Sequence, residues 1–159
     1  MSDEPQIDLS KANNLPARGD ELLRIFARFE FALKESGYGV SGKNDEAGAD
    51  WDRFANQSLT AKFLHKIREK NIAPTILEKS PSKQIFKDHT LEWTACAPPQ
   101  DVQTFFGAVR RVRNNLVHGG KSGDKDADRN NSLVSEAIEV LFEALRSDSH
   151  VRSMFEGQY

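Results

Sequence analysis

A single cysteine, Cys96, stands in this chain of 159 residues. No intrachain disulfide framework can therefore hold the fold, and a reducing compartment suits it. An excess of either charge is also missing, since 22 Lys and Arg face 24 Asp and Glu for a formal net charge of −2. The molecule as a whole has no electrostatic footprint for duplex DNA, so any RNA contact must come from a local basic cluster. No apolar run approaches the roughly 18 residues that span a bilayer. The opening Met1-Ser2-Asp3-Glu4-Pro5 is acidic and lacks the apolar stretch of a signal peptide. The expectation is a cytoplasmic protein with no membrane partner.

Metal and nucleotide signatures fail on inspection. His65, His89 and His150 are scattered without ligand spacing, and Cys96 has no second cysteine beside it. Asp124, Asp126 and Asp128 imitate the start of an EF-hand loop. However, Arg129 stands where glycine is needed, and Ser135 where the closing Glu belongs. Gly120-Lys121-Ser122 imitates the end of a P-loop, yet the upstream glycine position is Asn115 and the segment follows a helix. No metal or cofactor is expected.

What is present reads as a single helical domain over residues 17–159, preceded by a loose polar arm over 1–16. Apolar residues make up 38% and charged residues 29%, which suits a soluble globular chain, and ten Phe promise a core built on Phe and Leu. A helix is predicted from Ala17 to Ser36, with Leu22, Ile25, Phe26, Phe29 and Leu33 on one face. Phe31 points the other way and marks either an isolated surface aromatic or a second buried surface. Gly37-Tyr38-Gly39 ends this helix, and a Gly/Asn/Asp-rich loop is expected to about Asp50. Trp51 to Lys70 reads as helical in two pieces, with Ser58 as a cap for the second. Its Lys62, Lys66, Arg68 and Lys70 form a basic run, a solvated face or a guide for an RNA backbone. Residues 71–97 show no clear period beyond a short helical turn after Pro74, so irregular structure or one short helix is expected there. Pro98-Pro99 then introduces a helix over about 99–118, with Pro in its first turn. A charged loop follows, then a long helix over about 131–146 and a short one near 150–155. No strand-like alternation stands out, so the fold class expected is all-α, a bundle of four to six helices.

The chemistry concentrates in Arg113-Asn114-Asn115-Leu116-Val117-His118-Gly119-Gly120-Lys121. With Phe105, Val109, Val112 and Leu116 as the core stripe, Arg110, Asn114 and His118 recur at i, i+4 and i+8 on the opposite face. Arg113 lies on the flank and Arg111 on the other side. His118 occupies the last turn, where the helix dipole favours the protonated ring by roughly 0.3–1 kcal/mol and leaves both protonation states usable near neutrality. The planar fork of Arg113 suits a phosphate or a phosphorane. Asn114 can donate to phosphate or orient the imidazole, Gly119-Gly120 permits close backbone approach, and Arg110 and Lys121 add binding charge.

Arg113-Asn114-x-x-x-His118 resembles the signature of the HEPN superfamily, an Arg and a His four to six residues apart with a polar residue after the Arg. The likeness is sharp over about residues 99–121 and architectural elsewhere. It implies a metal-independent endoribonuclease that dimerises to join two motifs in one composite cleft. His118 would act as general base or acid, Arg113 would stabilise charge on the scissile phosphate, and Asn114 would position phosphate or imidazole. Single-stranded RNA would be cut by its own 2′-OH, leaving a 2′,3′-cyclic phosphate. The family is common in toxin–antitoxin, antiphage and RNA-processing systems, so an antitoxin or sensor protein is a further partner the resemblance implies. It also suggests an acidic residue pairing the motif Arg, for which Glu30 is the choice, although a solvated Glu30 is the plainer expectation. Phe31 and the polar face of the motif helix are the dimer side this reading selects. Two alternatives stay open. One is a non-catalytic HEPN module that binds RNA, a nucleotide or a partner protein. The other is a helical scaffold in which His118 only caps a helix.

Overall fold

A computed structural model describes residues 3–119 and 126–159. The arm stays exposed over residues 3–15 and makes one helical turn, α1 (Ser10–Asn13). Then come α2 (Gly19–Glu35), a small hairpin β1 (Gly39–Ser41) and β2 (Ala47–Ala49), and α3 (Trp51–Arg53). A π-helical turn, Phe54–Leu59, leads into α4 (Thr60–Glu69), followed by α5 (Pro74–Glu78). A second hairpin, β3 (Lys83–Lys87) and β4 (Thr90–Thr94), precedes α6 (Val102–Val117), α7 (Ala127–Ser147) and α8 (Ser149–Glu156).

The all-α expectation is corrected by these two antiparallel hairpins: the chain is 62% helix and 11% strand. The loop expected over 37–50 holds β1 and β2, turned by Asn44 and Asp45 at φ 56° and 60°. Asn and Asp tolerate that left-handed region better than most residues. The stretch expected to be irregular or helical around 79–94 is a two-residue hairpin turned by Asp88 and His89, at φ 51° and 60°. Left-handed backbone at both central residues is what the right-handed twist of a tight hairpin needs. Alternation was invisible there because neither face of the ribbon is fully buried, so no period-two contrast between core and solvent is written into it.

The helices follow their apolar faces with shifted ends. The helix α6 begins at Val102, not near Pro99, because Asp101 and Thr104 form a reciprocal capping box, Thr104 N–H donating to Asp101 Oδ1 at 2.7 Å. Those hydrogen bonds, the backbone one foremost, hold the Asp101 carboxyl below its ordinary range. The helix α7 starts earlier than expected, at Ala127, because Asp126 caps it. Ser58 caps nothing; its hydroxyl donates to Asp148 Oδ2 at 2.5 Å.

The helix α6 lies at the centre, touching α2, α3, α4, α5, α7 and β3. Phe105, Val109, Val112 and Leu116 are buried as the stripe predicts, and Phe106 and Ala108 are buried beside them. An aromatic cluster fills the space between α6, α2 and the π-helical turn. Trp51 sits in its midst, stacked on Phe29 at 5.2 Å and near Phe26 at 5.1 Å and Phe106 at 5.9 Å. Offset and edge-on contacts of this kind add about 0.5–1.5 kcal/mol per pair beyond area burial. No helix among the described residues is long and apolar enough to cross a membrane.

Candidate functional site

The wheel of α6 sends Arg110, Arg113 and Asn114 away from the core stripe, but that side is not open water. The helix α2 and Trp51 lie against it, so all three are half-buried. Arg113 NH1 donates to Glu30 Oε1 at 2.7 Å, and Arg113 Nε donates to Asn114 Oδ1 at 2.7 Å. Its guanidinium also lies 4.4 Å from the centroid of the Phe26 ring. The plainer expectation of a solvated Glu30 is therefore corrected: Glu30 is the motif arginine's ion-pair partner, with both side chains about three-quarters buried. Trp51 Nε1 donates to the other oxygen, Glu30 Oε2, at 3.3 Å. An aromatic core residue thus orients the carboxylate that orients the arginine.

Arg113 NH2 and Asn114 Nδ2 make no hydrogen bond among the described residues, where Nε and NH1 of Arg113 are the engaged donors. Arg110 lies 6.0 Å from the Trp51 ring centroid, and its buried Nε has no hydrogen-bond partner among the described residues. Two guanidiniums beside one carboxylate give the cluster an excess positive charge, the sign a phosphate requires.

His118 is the C-cap residue of α6, its backbone N–H donating to Asn114 O at 2.9 Å. Gly119 follows at φ 81°, a left-handed conformation that ends the helix with no Cβ penalty. The His118 side chain is exposed and makes no hydrogen bond or ion pair among the described residues. Lys121, chosen for binding charge, lies outside the described residues, as do Gly120 and Asp124. Phe31 is half-buried beneath the Arg28 guanidinium, 4.6 Å from its ring centroid. Among the described residues no group of three or more His, Cys, Asp and Glu is arranged to hold a metal.

Three participants escaped the sequence reading. Trp51 reads in the sequence only as the start of a helical stretch. Arg111 NH1 donates to Pro81 O at 3.0 Å, and Asn115 Nδ2 donates to Ser82 O at 2.9 Å, so the far flank of α6 grips the root of the β3–β4 hairpin. Asn115 carried a readable signal, because an amide three residues after Val112 lies on the core side and must find a partner there. It is 7% exposed.

No family model matches the chain, and comparison with curated proteins and with solved structures likewise found no match.

Proposed function

We propose that this protein is a HEPN-like endoribonuclease that cuts single-stranded RNA without a metal, in toxin, antiphage-defence or RNA-processing work. One observation carries the reading. A motif arginine is clamped by Glu30 and Asn114, while the motif histidine stands exposed at the end of the same helix. They stand at i and i+5, about 7.5 Å apart along the axis at the helical rise, a span one phosphodiester and its ribose can bridge. In the reaction the 2′-oxygen forms a bond to phosphorus as the P–O5′ bond breaks. His118 takes the 2′-OH proton, and the leaving 5′-oxygen gains one from a second acid. Arg113 NH2 and Arg110 neutralise charge on the phosphorane oxygens. One protomer offers one such imidazole, so the second acid is His118 of a second copy in a composite homodimeric cleft.

A second reading has its own support. The engagement of Arg113 Nε and NH1 inside the protomer suits a HEPN module that binds RNA, a nucleotide or an antitoxin or sensor protein without cutting. RNA cleavage in EDTA separates the two. Wild type is expected to yield 2′,3′-cyclic phosphate ends, and His118→Ala to lose at least a hundredfold in rate, within the range general acid–base groups contribute. Inert wild type on varied single-stranded RNAs would leave the binding module. An equally active His118→Ala would remove the site assignment.

A further inference from the structure

We propose that Trp51 is a positioning residue of the motif: its indole N–H fixes Glu30, and through Glu30 it sets Arg113 beside Arg110 as a preformed receptor for one phosphate group. This rests on the phosphate-binding part of the reading above, which the nuclease and the RNA- or nucleotide-binding module share. It adds the residue that holds the cations in place.

Trp51 opens α3, and the backbone around it is tied on both sides. Asp50 N–H donates to Tyr38 O at 2.7 Å, just past the end of α2. The Asp50 carboxylate caps α3 by accepting from Arg53 N–H at 3.1 Å. The indole itself is 2% exposed and lies 5.2 Å from Phe29, nearly parallel to it, with Phe106 at 5.9 Å. A ring packed this closely cannot turn freely, and its N–H must find an acceptor inside. It finds Glu30 Oε2 at 3.3 Å, 21 residues back in the chain. A phenylalanine would supply much of the same packing, so the N–H is what separates a positioning role from plain core filling.

The Glu30 carboxylate is then held at both oxygens, Oε2 by Trp51 and Oε1 by Arg113 NH1 at 2.7 Å. Fixing one oxygen orients the carboxylate plane, and with it the guanidinium that meets the other oxygen. Arg110 stands about one helical turn before Arg113, its guanidinium 6.0 Å from the Trp51 ring centroid. No carboxylate among the described residues pairs with Arg110, so one carboxylate answers two half-buried guanidiniums. The same indole thus lies against one cation and holds the anchor of the other. A half-buried cation without a counterion is costly unless a ligand supplies one. A phosphate has the charge and the acceptor oxygens to meet two guanidiniums at once. With both cations already in place, its binding requires little reordering of long side chains.

The test follows the isotope-labelled full chain by NMR, with inorganic phosphate as probe. Glu30→Gln should move the Trp51 indole N–H signal, identified as the one that Trp51→Phe removes, and leave that of Trp93 in place. Trp51→Phe should shift the Arg113 Nε–H signal and weaken phosphate binding about three- to tenfold, the range one hydrogen bond contributes. Combined with Glu30→Gln it should weaken binding no further than Glu30→Gln alone, because the indole acts through that carboxylate. Phe63→Leu loosens the same aromatic cluster at Phe106 rather than at Trp51. It should lower the melting temperature yet leave the Arg113 signal and the phosphate affinity unchanged. In RNA cleavage, kcat/KM of Trp51→Phe should fall in step with its phosphate affinity. An indole signal that ignores Glu30→Gln overturns the proposal, even where Trp51→Phe is too unstable to assay. So does an unchanged Arg113 signal or phosphate affinity in folded Trp51→Phe, and so do additive losses in the double variant, which would make Trp51 plain packing. An Arg113 signal in wild type that ignores phosphate overturns the receptor and the proposal with it. Both signal shifts and phosphate binding in a protein inert towards RNA remove the nuclease reading and keep the positioning role. Full cleavage by folded Trp51→Phe with phosphate affinity intact does the reverse.

Discussion

The guanidinium of Arg113 meets three neighbours at once: the Glu30 carboxylate, the Asn114 carbonyl and the Phe26 ring. A side chain so held is pre-organised, and its remaining donors need no reordering when a phosphate arrives. Because Arg113 and Glu30 are both largely buried, removing either leaves an uncompensated charge rather than merely deleting a surface pair. A double-mutant cycle of Glu30→Gln and Arg113→Ala, followed by urea unfolding, should show a coupling of about 0.5–3 kcal/mol. A coupling near zero would mean that the pair does not organise the site. Arg113 was legible from its spacing to His118. Its partner lies 83 residues away in sequence, and only proximity in the fold could choose Glu30 over a solvated carboxylate.

Among the elements, α4 and α7 are tied by a charge cluster that draws on the basic run expected to be either a solvated face or a guide for an RNA backbone. Glu143 is buried, its side chain 4% exposed, and accepts from Lys66 at 2.8 Å, Lys70 at 3.1 Å and Arg146 at 3.2 Å. Much of the basic run on α4 is therefore committed to packing against α7, which leaves less of it to guide RNA. Burial pushes the Glu143 carboxyl up, but the hydrogen bonds from Lys66, Lys70 and Arg146 together outweigh it and bring it from 4.5 down to about 2. A carboxyl depressed in the folded state stabilises fully above its unfolded value and loses that contribution as pH falls through the folded one. Thermal stability should thus decline between about pH 4.5 and pH 2, and Glu143→Gln should flatten that decline while lowering stability at pH 7 by about 1–3 kcal/mol. A wild-type acid profile unchanged by the substitution would contradict this. The helices were legible from their 3.6-residue stripes, whereas both hairpins were missed, since a ribbon exposed on both faces carries no hydrophobic alternation to read.

For the whole molecule the question is whether two motifs meet. The flank of α6 that carries Arg113 is partly covered by α2 and Trp51, and Phe31 lies under Arg28. The most accessible part of the motif is its end, at His118. A dimer built on that end would present two imidazoles to one phosphate. Specific RNA-cleaving activity is then expected to fall on dilution, in step with the loss of dimer measured by sedimentation velocity. Activity independent of concentration, in a protein that sediments as a monomer throughout, would break the composite-site proposal.

By itself the sequence determined the helical core and the chemical inventory of the motif helix. Apolar residues at helical spacing choose a face regardless of what packs there, and an Arg, an Asn and a His at i, i+1 and i+5 share one helix end wherever it sits. Tertiary structure alone decided which side chains complete the site. It brought Glu30 and Trp51 to Arg113 and turned Lys66 and Lys70 onto a buried carboxylate. It also anchored the root of the β3–β4 ribbon to α6 through Arg111 and Asn115. The physical reason is the range of each interaction. Backbone periodicity acts over a few residues, whereas an ion pair or a buried amide needs a partner whose position is set by the packing of the whole core.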